Sequence, residues 1–378
     1  MTQLIKGELE QYSRHLSLQG FGPQCQDRLK KSSVLVIGAG GLGCPALQYL
    51  TAAGVGKIGI MDDDLIEISN LQRQILFSHQ DQGKNKAQIA ASRLSTLNPY
   101  IEITAYPERL SVNNCASMFK QYDLVVDGTD NFNSKYLIND GSVLFKKPLV
   151  HGSIHEFEGM VSVFNLHHQG PTYRCLFPEQ PDSSSMPTCA EAGVLGVLPG
   201  IIGSWQALEA IKVLSGIGEP LSGRVLLYNA LNQSVHLVNL DTVPENLQIT
   251  KLPSPINSCN AQKDSGEIIE ISSEDFMKMI EDEPNLQTLD VREDWERQIA
   301  RIEPSIHLPL ANLTNEQDMP PDLFDSSQKL VIFCKAGVRS RMACQFLQHK
   351  GFSQLYNLTD GMDGWMTSYP DHTVMSVE

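Results

Sequence analysis

Short apolar runs alternate with longer segments of helical periodicity from Val34 to about Leu240. Val34–Ile37, Lys57–Met61, Ile101–Ala105 and Leu124–Asp127 read as strands, because each is brief and rich in apolar residues and most are bounded by turn-forming ones. Between them, Gly43–Ala53 and Lys84–Leu97 carry the spacing of helices. Strand–helix alternation of this kind predicts an α/β fold built on a doubly wound, mostly parallel sheet. Further on, Ile202–Leu214 predicts a helix with Trp205, Leu208, Ile211 and Leu214 on one face. Val225–Tyr228 and Val235–Leu240 predict two strands around a turn at Asn229–Gln233. Periodicity then lapses. The stretch Asp241–Gly266, broken by Pro244, Pro253 and Pro255, reads as a linker, and Ile268 to about Pro370 resumes the alternation as a second, smaller α/β unit. The expected division is a first domain at 1–245, a linker at 246–266 and a second domain at 267–378.

Composition narrows the classes of function. At 378 residues and 41% hydrophobic, the chain is long enough for two cores. A formal net charge of −15 argues against a nucleic-acid groove or an anionic membrane surface as the main partner. Met1–Glu10 is polar and lacks the apolar core of a signal peptide, and no window is read as the roughly 18 to 20 apolar residues of a spanning helix, so a cytoplasmic protein is expected. The eight cysteines are scattered rather than set at short regular spacings, which favours thiol chemistry over a disulfide scaffold.

Two stretches carry candidate chemistry. Ser33–Ile37 leads into Gly38-Ala39-Gly40-Gly41-Leu42-Gly43 and then a helix, the context in which a Gly-x-Gly-x-x-Gly turn cradles phosphate. Asp62, at the end of the next strand, stands where a ribose hydroxyl is expected. Alone this predicts a nucleotide, with NAD the default. The segments that follow shift the balance: Ser69-Asn70-Leu71-Gln72-Arg73-Gln74, then Lys84 and Lys86, then Asp127-Gly128-Thr129-Asp130-Asn131 converge at one sheet edge, placing Asn70, Arg73, Lys86 and Asp130 around a triphosphate. Attack of a carboxylate on an α-phosphate builds negative charge, which Arg73 and Lys86 offset, and Asp130 is the natural Mg²⁺ ligand. An NAD-dependent oxidoreductase would not need this set of charges; a nucleotide-binding scaffold is the other alternative.

The second stretch lies in the second unit. Leu330–Phe333 runs into Cys334-Lys335-Ala336-Gly337-Val338-Arg339 and then the helical pattern Ser340–Lys350. Backbone N–H groups of a loop feeding a helix N-terminus, with positive charge from Lys335 and Arg339, stabilise an anionic sulfur. A Cys-x5-Arg phosphatase loop would be one residue longer. The bland alternative is a buried strand-end cysteine. Cys189 follows the polar Pro/Ser stretch Pro178–Pro187, where a loop thiol can meet a partner; a helix-start cysteine with no covalent role is the alternative. Cys25, Cys44, Cys115 and Cys344 read as packing residues.

Taken together, Tyr12-Ser13-Arg14-His15, Gly38–Gly43, Asp62–Asp64, Ser69–Gln74, Asp127–Asn131 and Cys189-Ala190-Glu191-Ala192-Gly193 resemble the MoeB/ThiF family of ubiquitin-activating-enzyme-like adenylyltransferases, over about residues 8 to 245. Leu289-Asp290-Val291-Arg292-Glu293, the Cys334 loop, and Asn357-Leu358-Thr359-Asp360-Gly361 with Trp365 resemble a rhodanese sulfurtransferase domain. The resemblance implies a Rossmann-like ThiF fold followed by a small α/β rhodanese domain. It implies that a small ubiquitin-like sulfur carrier ending in Gly-Gly is adenylated with ATP and Mg²⁺ and then converted to a thiocarboxylate, with sulfur arriving on Cys334 from a donor such as a cysteine desulfurase persulfide. Molybdopterin, thiamine and tRNA-thiolation pathways all stay open. It implies a homodimer in which Arg14 reaches the partner subunit's nucleotide, ATP binding by Gly38, Gly40, Gly41, Gly43, Asp62, Asn70, Arg73, Gln74 and Lys86, Mg²⁺ binding by Asp130, and a role for Cys189 in an acyl or disulfide intermediate. Two departures stand out. Family members often hold a structural zinc with two Cys-x-x-Cys pairs, and here the matching stretches read Thr172-Tyr173-Arg174-Cys175 and Ile256-Asn257-Ser258-Cys259, so zinc is not expected. Asp360 stands where a rhodanese usually has the first glycine of a pair, which bears on local backbone geometry.

Overall fold

The structure, a computed structural model, describes residues 4–168, 170–180, 193–252, 268–283, 286–314, 324–326 and 328–375. Cys189 and Cys259 lie outside these residues. The described chain forms two compact units, the first ending at Leu252 and the second starting at Ile268.

In the first unit, short helices α1 (Lys6–Gln11), α2 (Ser13–Leu16) and α3 (Gly22–Lys31) precede an eight-stranded sheet. The strands are β1 (Ser33–Ile37), β2 (Lys57–Met61), β3 (Glu102–Tyr106), β4 (Leu124–Asp127), β5 (Leu149–His155), β6 (Glu158–Phe164), β7 (Arg224–Asn229) and β8 (Ser234–Asn239), in the order β3-β2-β1-β4-β5-β6-β7-β8. Pairing is parallel from β3 to β5 and antiparallel from β5 to β8. The strand-to-strand links of the parallel half are α4 (Gly43–Ala53), α5 (Lys86–Leu97), α6 (Val112–Gln121) and α7 (Phe132–Leu144). Side chains of β1 explain why the central strands read as unbroken apolar runs: Val34 and Val36 enter the core on one sheet face, while Leu35 and Ile37 enter the core on the other. The hairpin β5–β6 had no clear alternation to reveal it, since Val161, Ser162, Val163 and Phe164 are all fully buried whichever face they point to.

Boundaries shift where capping decides them. α5 begins at Lys86 rather than Lys84, because the Asn85 side chain accepts the Gln88 N–H at 3.1 Å and caps the helix, leaving Lys84 in the preceding turn. The helix expected at Ile202–Leu214 runs from Val197 to Ser215, and its buried face differs from the large-residue stripe. Leu208 is 49% exposed, whereas Ile202, Gln206 and Ala210 are fully buried. Close approach selects small residues on that side: a side chain at Gly203 would meet the Leu42 carbonyl at 2.3 Å, and one at Gly159 of β6 would meet Ile202 at 2.4 Å. Contrary to the sequence expectation, this helix is long and apolar enough to cross a membrane by length and composition. It packs on α4, β5 and β6 as a core helix.

The second unit holds a five-stranded parallel sheet in the order β12-β10-β13-β14-β9, made of β9 (Ile269–Ile271), β10 (Gln287–Asp290), β12 (Ile306–His307), β13 (Leu330–Phe333) and β14 (Leu355–Leu358). A small antiparallel pair, β11 (Ala300–Arg301) with β15 (Val374–Met375), lies apart from it in the hydrogen-bonding scheme. Leu330 and Ile332 fill one core and Val331 and Phe333 the other, so β13 is buried on both faces and delivers Cys334 at its carboxyl end.

Candidate functional site

β1, β2 and β4 end side by side, and the loops leaving them build a site in the first unit. The Gly38 N–H donates to the Met61 carbonyl at 2.8 Å, and φ at Gly38 is +92°. A side chain there would strike the Gly128 carbonyl at 2.7 Å, and one at Gly43 would strike the Gly38 carbonyl at 1.9 Å, so the turn admits only glycine at both positions. Gly40 is open, with the Gln74 amide as its nearest neighbour, while Gly41 faces Pro199. The Asp62 carboxylate accepts the Ala39 N–H at 2.7 Å and the Asp64 N–H at 2.9 Å. It therefore braces the glycine turn, besides standing where a ribose is expected. Burial pushes its pKa above the ordinary carboxylate value against the opposing pull of Lys86.

An open cleft of about 240 Å³ adjoins this turn, and its lining brings together Asn70, Arg73, Gln74, Lys86 and Asp130. Lys86 is buried and donates to Asp64 Oδ2 at 2.8 Å, so its charge is shared with a carboxylate that sequence reasoning gave no role. Arg73 Nη1 donates to the Ser69 carbonyl at 3.1 Å, which aims the guanidinium from the loop that holds it. Gln74 is buried with an unpartnered Oε1. Asp130 is exposed and has no hydrogen-bond or ion-pair partner among the described residues. Arg14 does not line this cleft. It stands exposed on α2, next to Tyr12, whose hydroxyl accepts from Asn98 at 2.8 Å and anchors the segment.

Beneath Asp130 lies a buried polar network that the sequence reading missed. Asp127 Oδ2 accepts from Lys135 Nζ at 3.1 Å and His151 Nδ1 at 2.8 Å, and Asp127 Oδ1 accepts the Thr129 N–H and hydroxyl at 3.0 and 2.6 Å. Lys135 also donates to the Thr129 carbonyl at 2.8 Å and the Gly152 carbonyl at 3.3 Å, and Gln206 donates to the Asp127 carbonyl at 2.7 Å. Burial alone would raise the Asp127 pKa; Lys135, His151 and Thr129 overcome it and hold the carboxyl well below its usual range. Burial and the Lys135 charge push the His151 imidazole below its ordinary value, so the ring is neutral at pH 7, Nδ1 carries the proton given to Asp127, and buried Nε2 finds no partner among the described residues. The network fixes the backbone from which Asp130 projects. A signal existed: Lys135, Asn139 and Ser142 form a polar stripe at helical spacing in α7, and all three are buried.

In the second unit, Cys334 is 2% exposed, so its thiol is recessed rather than set at an open mouth. Its Sγ accepts from the Ser340 hydroxyl at 3.4 Å, and the Cys334 carbonyl accepts the Met362 N–H at 2.9 Å. The backbone N–H groups of Lys335 to Val338 donate to no protein acceptor among the described residues, and Gly337, at φ +83°, caps the helix Val338–His349. In the resting thiol the partner of the sulfur is thus Ser340 rather than the amides of the loop. Arg339 is buried and forks onto Glu296, with Nη1–Oε2 at 2.6 Å and Nη2–Oε1 at 2.8 Å, so the countercharge expected of it is shared with a carboxylate that the sequence reading did not foresee. Asp360 causes no backbone strain, with φ at −91°, and its carboxylate accepts the Ser273 hydroxyl at 2.7 Å; the left-handed position is Gly361, φ +53°.

Cys175 sits in a nest of donors. Its sulfur accepts from the N–H groups of Thr172 at 3.3 Å and Val243 at 3.4 Å and from the Asn246 amide at 3.6 Å, with the Thr172 hydroxyl 3.4 Å away. Burial raises the thiol pKa, and these donors more than offset it, leaving the value below that of an ordinary cysteine. Thr172 stands beside Cys175 at the first position of the Cys-x-x-Cys pattern, and the second stretch of that pattern, with Ile256 and Cys259, lies outside the described residues.

Comparison with known proteins agrees with both halves. The ThiF family matches residues 12–248, and the rhodanese-like domain matches residues 272–368. The chain is 53% identical over 233 residues to a sulfur carrier protein adenylyltransferase of Thermus thermophilus, covering 61% of this chain and 86% of the relative. It is 39% identical over 381 residues to the probable adenylyltransferase/sulfurtransferase MoeZ of Mycobacterium tuberculosis, covering 99% of this chain and 97% of the relative. Among solved structures, Escherichia coli MccB with AMPCPP and MccA is similar at a TM-score of 0.53 and 26% identity, covering 62% of this chain and 72% of that one. The chain thus belongs to the ThiF family and carries a rhodanese-like domain behind its nucleotide-binding half.

Proposed function

We propose that the chain adenylates the C-terminal glycine of a small ubiquitin-like sulfur carrier and then converts the acyl-adenylate to a thiocarboxylate with sulfur held on Cys334. The observation that carries the first half is the cleft in which Arg73, Lys86 and unpartnered Asp130 meet beside the glycine turn. Arg73 and Lys86, the latter shared with Asp64, opposite a carboxylate unpaired among the described residues suit a triphosphate whose α-phosphorus is attacked while pyrophosphate departs. Mg²⁺ fits there, since it favours one or two carboxylates together with phosphate oxygens, and Asp130 is the carboxylate left available. When bound, the ion neutralises charge on the phosphates; Arg73 and Lys86 bind and orient them, and Asp62 keeps the glycine turn in shape. AMPCPP in the related MccB structure supports an adenine triphosphate as the ligand.

For the second half, the Cys334 thiolate attacks the outer sulfur of a donor persulfide, the donor leaves as a thiolate, and the loop N–H groups face the new terminal sulfur. A cysteine desulfurase is the donor class we favour, in the cytoplasm, and a homodimer with Arg14 acting on the partner subunit's nucleotide is the assembly. Thr172 and Ile256, in place of two of the four cysteines that such a site uses, support a protein free of structural zinc. Given ATP, Mg²⁺ and a carrier ending in Gly-Gly, Asp130→Ala is expected to lose ATP–pyrophosphate exchange while staying folded. Undiminished exchange in that variant would overturn the adenylation site.

A further inference from the structure

The Cys334 loop is less cationic than its sequence suggests. Arg339, the guanidinium nearest in sequence to the sulfur, is clamped by Glu296 in a two-point pair in which both side chains are largely buried. Arg339 directly precedes Ser340, whose hydroxyl donates to the Cys334 sulfur at 3.4 Å, and Glu296 and then the sulfur favour its charge against the effect of burial. Two neighbouring guanidiniums are also spoken for: Arg292 donates to Asp290 at 2.9 and 2.7 Å, and Arg297 to Ser305 at 2.8 Å with Asp290 3.5 Å away. In the loop itself, Lys335 is exposed and has no partner among the described residues.

We propose that Glu296 sets the donor preference of the Cys334 site, by cancelling the Arg339 charge and so disfavouring doubly charged sulfur donors such as thiosulfate relative to persulfides. The two transfers differ in the charge brought to the sulfur. With a persulfide, Cys334–S⁻ and R–S–SH give Cys334–S–SH and R–S⁻: one S–S bond forms, one breaks, the electron pair leaves on the donor sulfur, and the proton travels with the transferred atom. With thiosulfate, Cys334–S⁻ and S–SO₃²⁻ give Cys334–S–S⁻ and sulfite, so a dianion must approach a thiolate. That approach needs cations free to meet it. With Arg339 neutralised, Lys335 is left to supply the positive charge, and as a flexible, hydrated point charge it cannot grip an oxyanion by two parallel bonds. Glu296 does not touch the reacting atoms. It is a positioning and specificity residue that acts through Arg339.

This inference rests on the proposed role of Cys334 as sulfur acceptor, and the test separates the two. Persulfide formation on Cys334 of the full-length protein is followed by intact mass, with thiosulfate and with an uncharged alkyl persulfide as donors. In Glu296→Gln, the ratio of second-order rate constants, thiosulfate over persulfide, is expected to rise about tenfold at low salt, the size of effect that exposing one nearby unit charge produces, and the gain should shrink as ionic strength rises. A purely structural role would lower both rates together and leave the ratio and its salt dependence where they were, which would overturn the proposal. If Glu296→Gln fails to fold, Lys335→Glu carries the test: it should lower the ratio about tenfold, and an unchanged ratio would count against the idea. Absence of Cys334-dependent transfer from either donor would instead remove the acceptor role itself.

Discussion

Replacing Lys135 with methionine removes an ammonium that is 7% exposed and leaves the fully buried Asp127 carboxylate with hydrogen bonds but no counter-ion. The same change deprives the Thr129 and Gly152 carbonyls of a donor. Breaking one side of a buried ion pair costs about 3–5 kcal/mol, because the surviving charge stays desolvated. For a unit of this size each kcal/mol is worth about 2–4 °C, so its melting transition should fall by roughly 6–20 °C. Calorimetry on the full chain is the assay, with the transition of the second unit as internal control. Neutralising both partners, Asp127→Asn with Lys135→Met, should recover a large part of the loss, since no unpaired charge is then buried. ATP–pyrophosphate exchange in Lys135→Met, measured at a temperature where the protein is folded, should also fall, because the network holds the strand end that carries Asp130. A shift under about 2 °C in the first unit, or a double variant no more stable than the single one, would refute the reasoning.

Further tests address other parts of the chain. Stability of the first unit should decline as pH falls: His151 and Asp127 both have depressed folded pKa values, so their contributions are complete above the unfolded values of about 6.5 and 3.9 and are lost below them; denaturant titrations from pH 8 to pH 4 will record the His151 loss, and their extension below pH 4 the Asp127 loss. Cys334→Ala should still form carrier adenylate yet yield no thiocarboxylate, as mass spectrometry of the carrier after one turnover will show. Cys175→Ala should cost about 1–3 kcal/mol through stranded N–H donors, and metal analysis of the parent protein should find no stoichiometric zinc. Cys44 and Cys115, whose thiols burial pushes up to about 12, should resist alkylation at pH 8 until the protein unfolds.

The parts of this protein that were legible in its sequence are those where local pattern and chemistry coincide. β1, β2 and β4 announce themselves by uninterrupted apolar residues, and the glycine turn by its position between strand and helix. Asn70, Arg73, Lys86 and Asp130, read together because each follows a strand end in a doubly wound sheet, line one cleft along with Gln74. What failed to show was pairing between distant residues. Nothing around Arg339 points to Glu296, 43 positions earlier, and nothing around Lys86 says that Asp64 will share its charge. The Val197–Ser215 helix shows the same limit: Trp205, Ile211 and Leu214 of its apolar face pack against the core, but nothing local in the sequence marks the closer contact with α4 and the sheet, which favours glycine, alanine and a hydrogen-bonded glutamine.

That glutamine has a mechanical consequence. Gln206 ties the helix to the carbonyl of Asp127, and Pro199, two turns earlier, rests against Gly41. A single helix therefore touches both the glycine turn and the strand end that leads to Asp130. Small rotations of this helix, caused by substitutions on its outer side at Leu208 or by a protein pressing on it, would alter the spacing between the two without any change in the residues that line the cleft. The helix thus ties the position of the glycine turn to that of the strand end before Asp130, two segments far apart in the sequence.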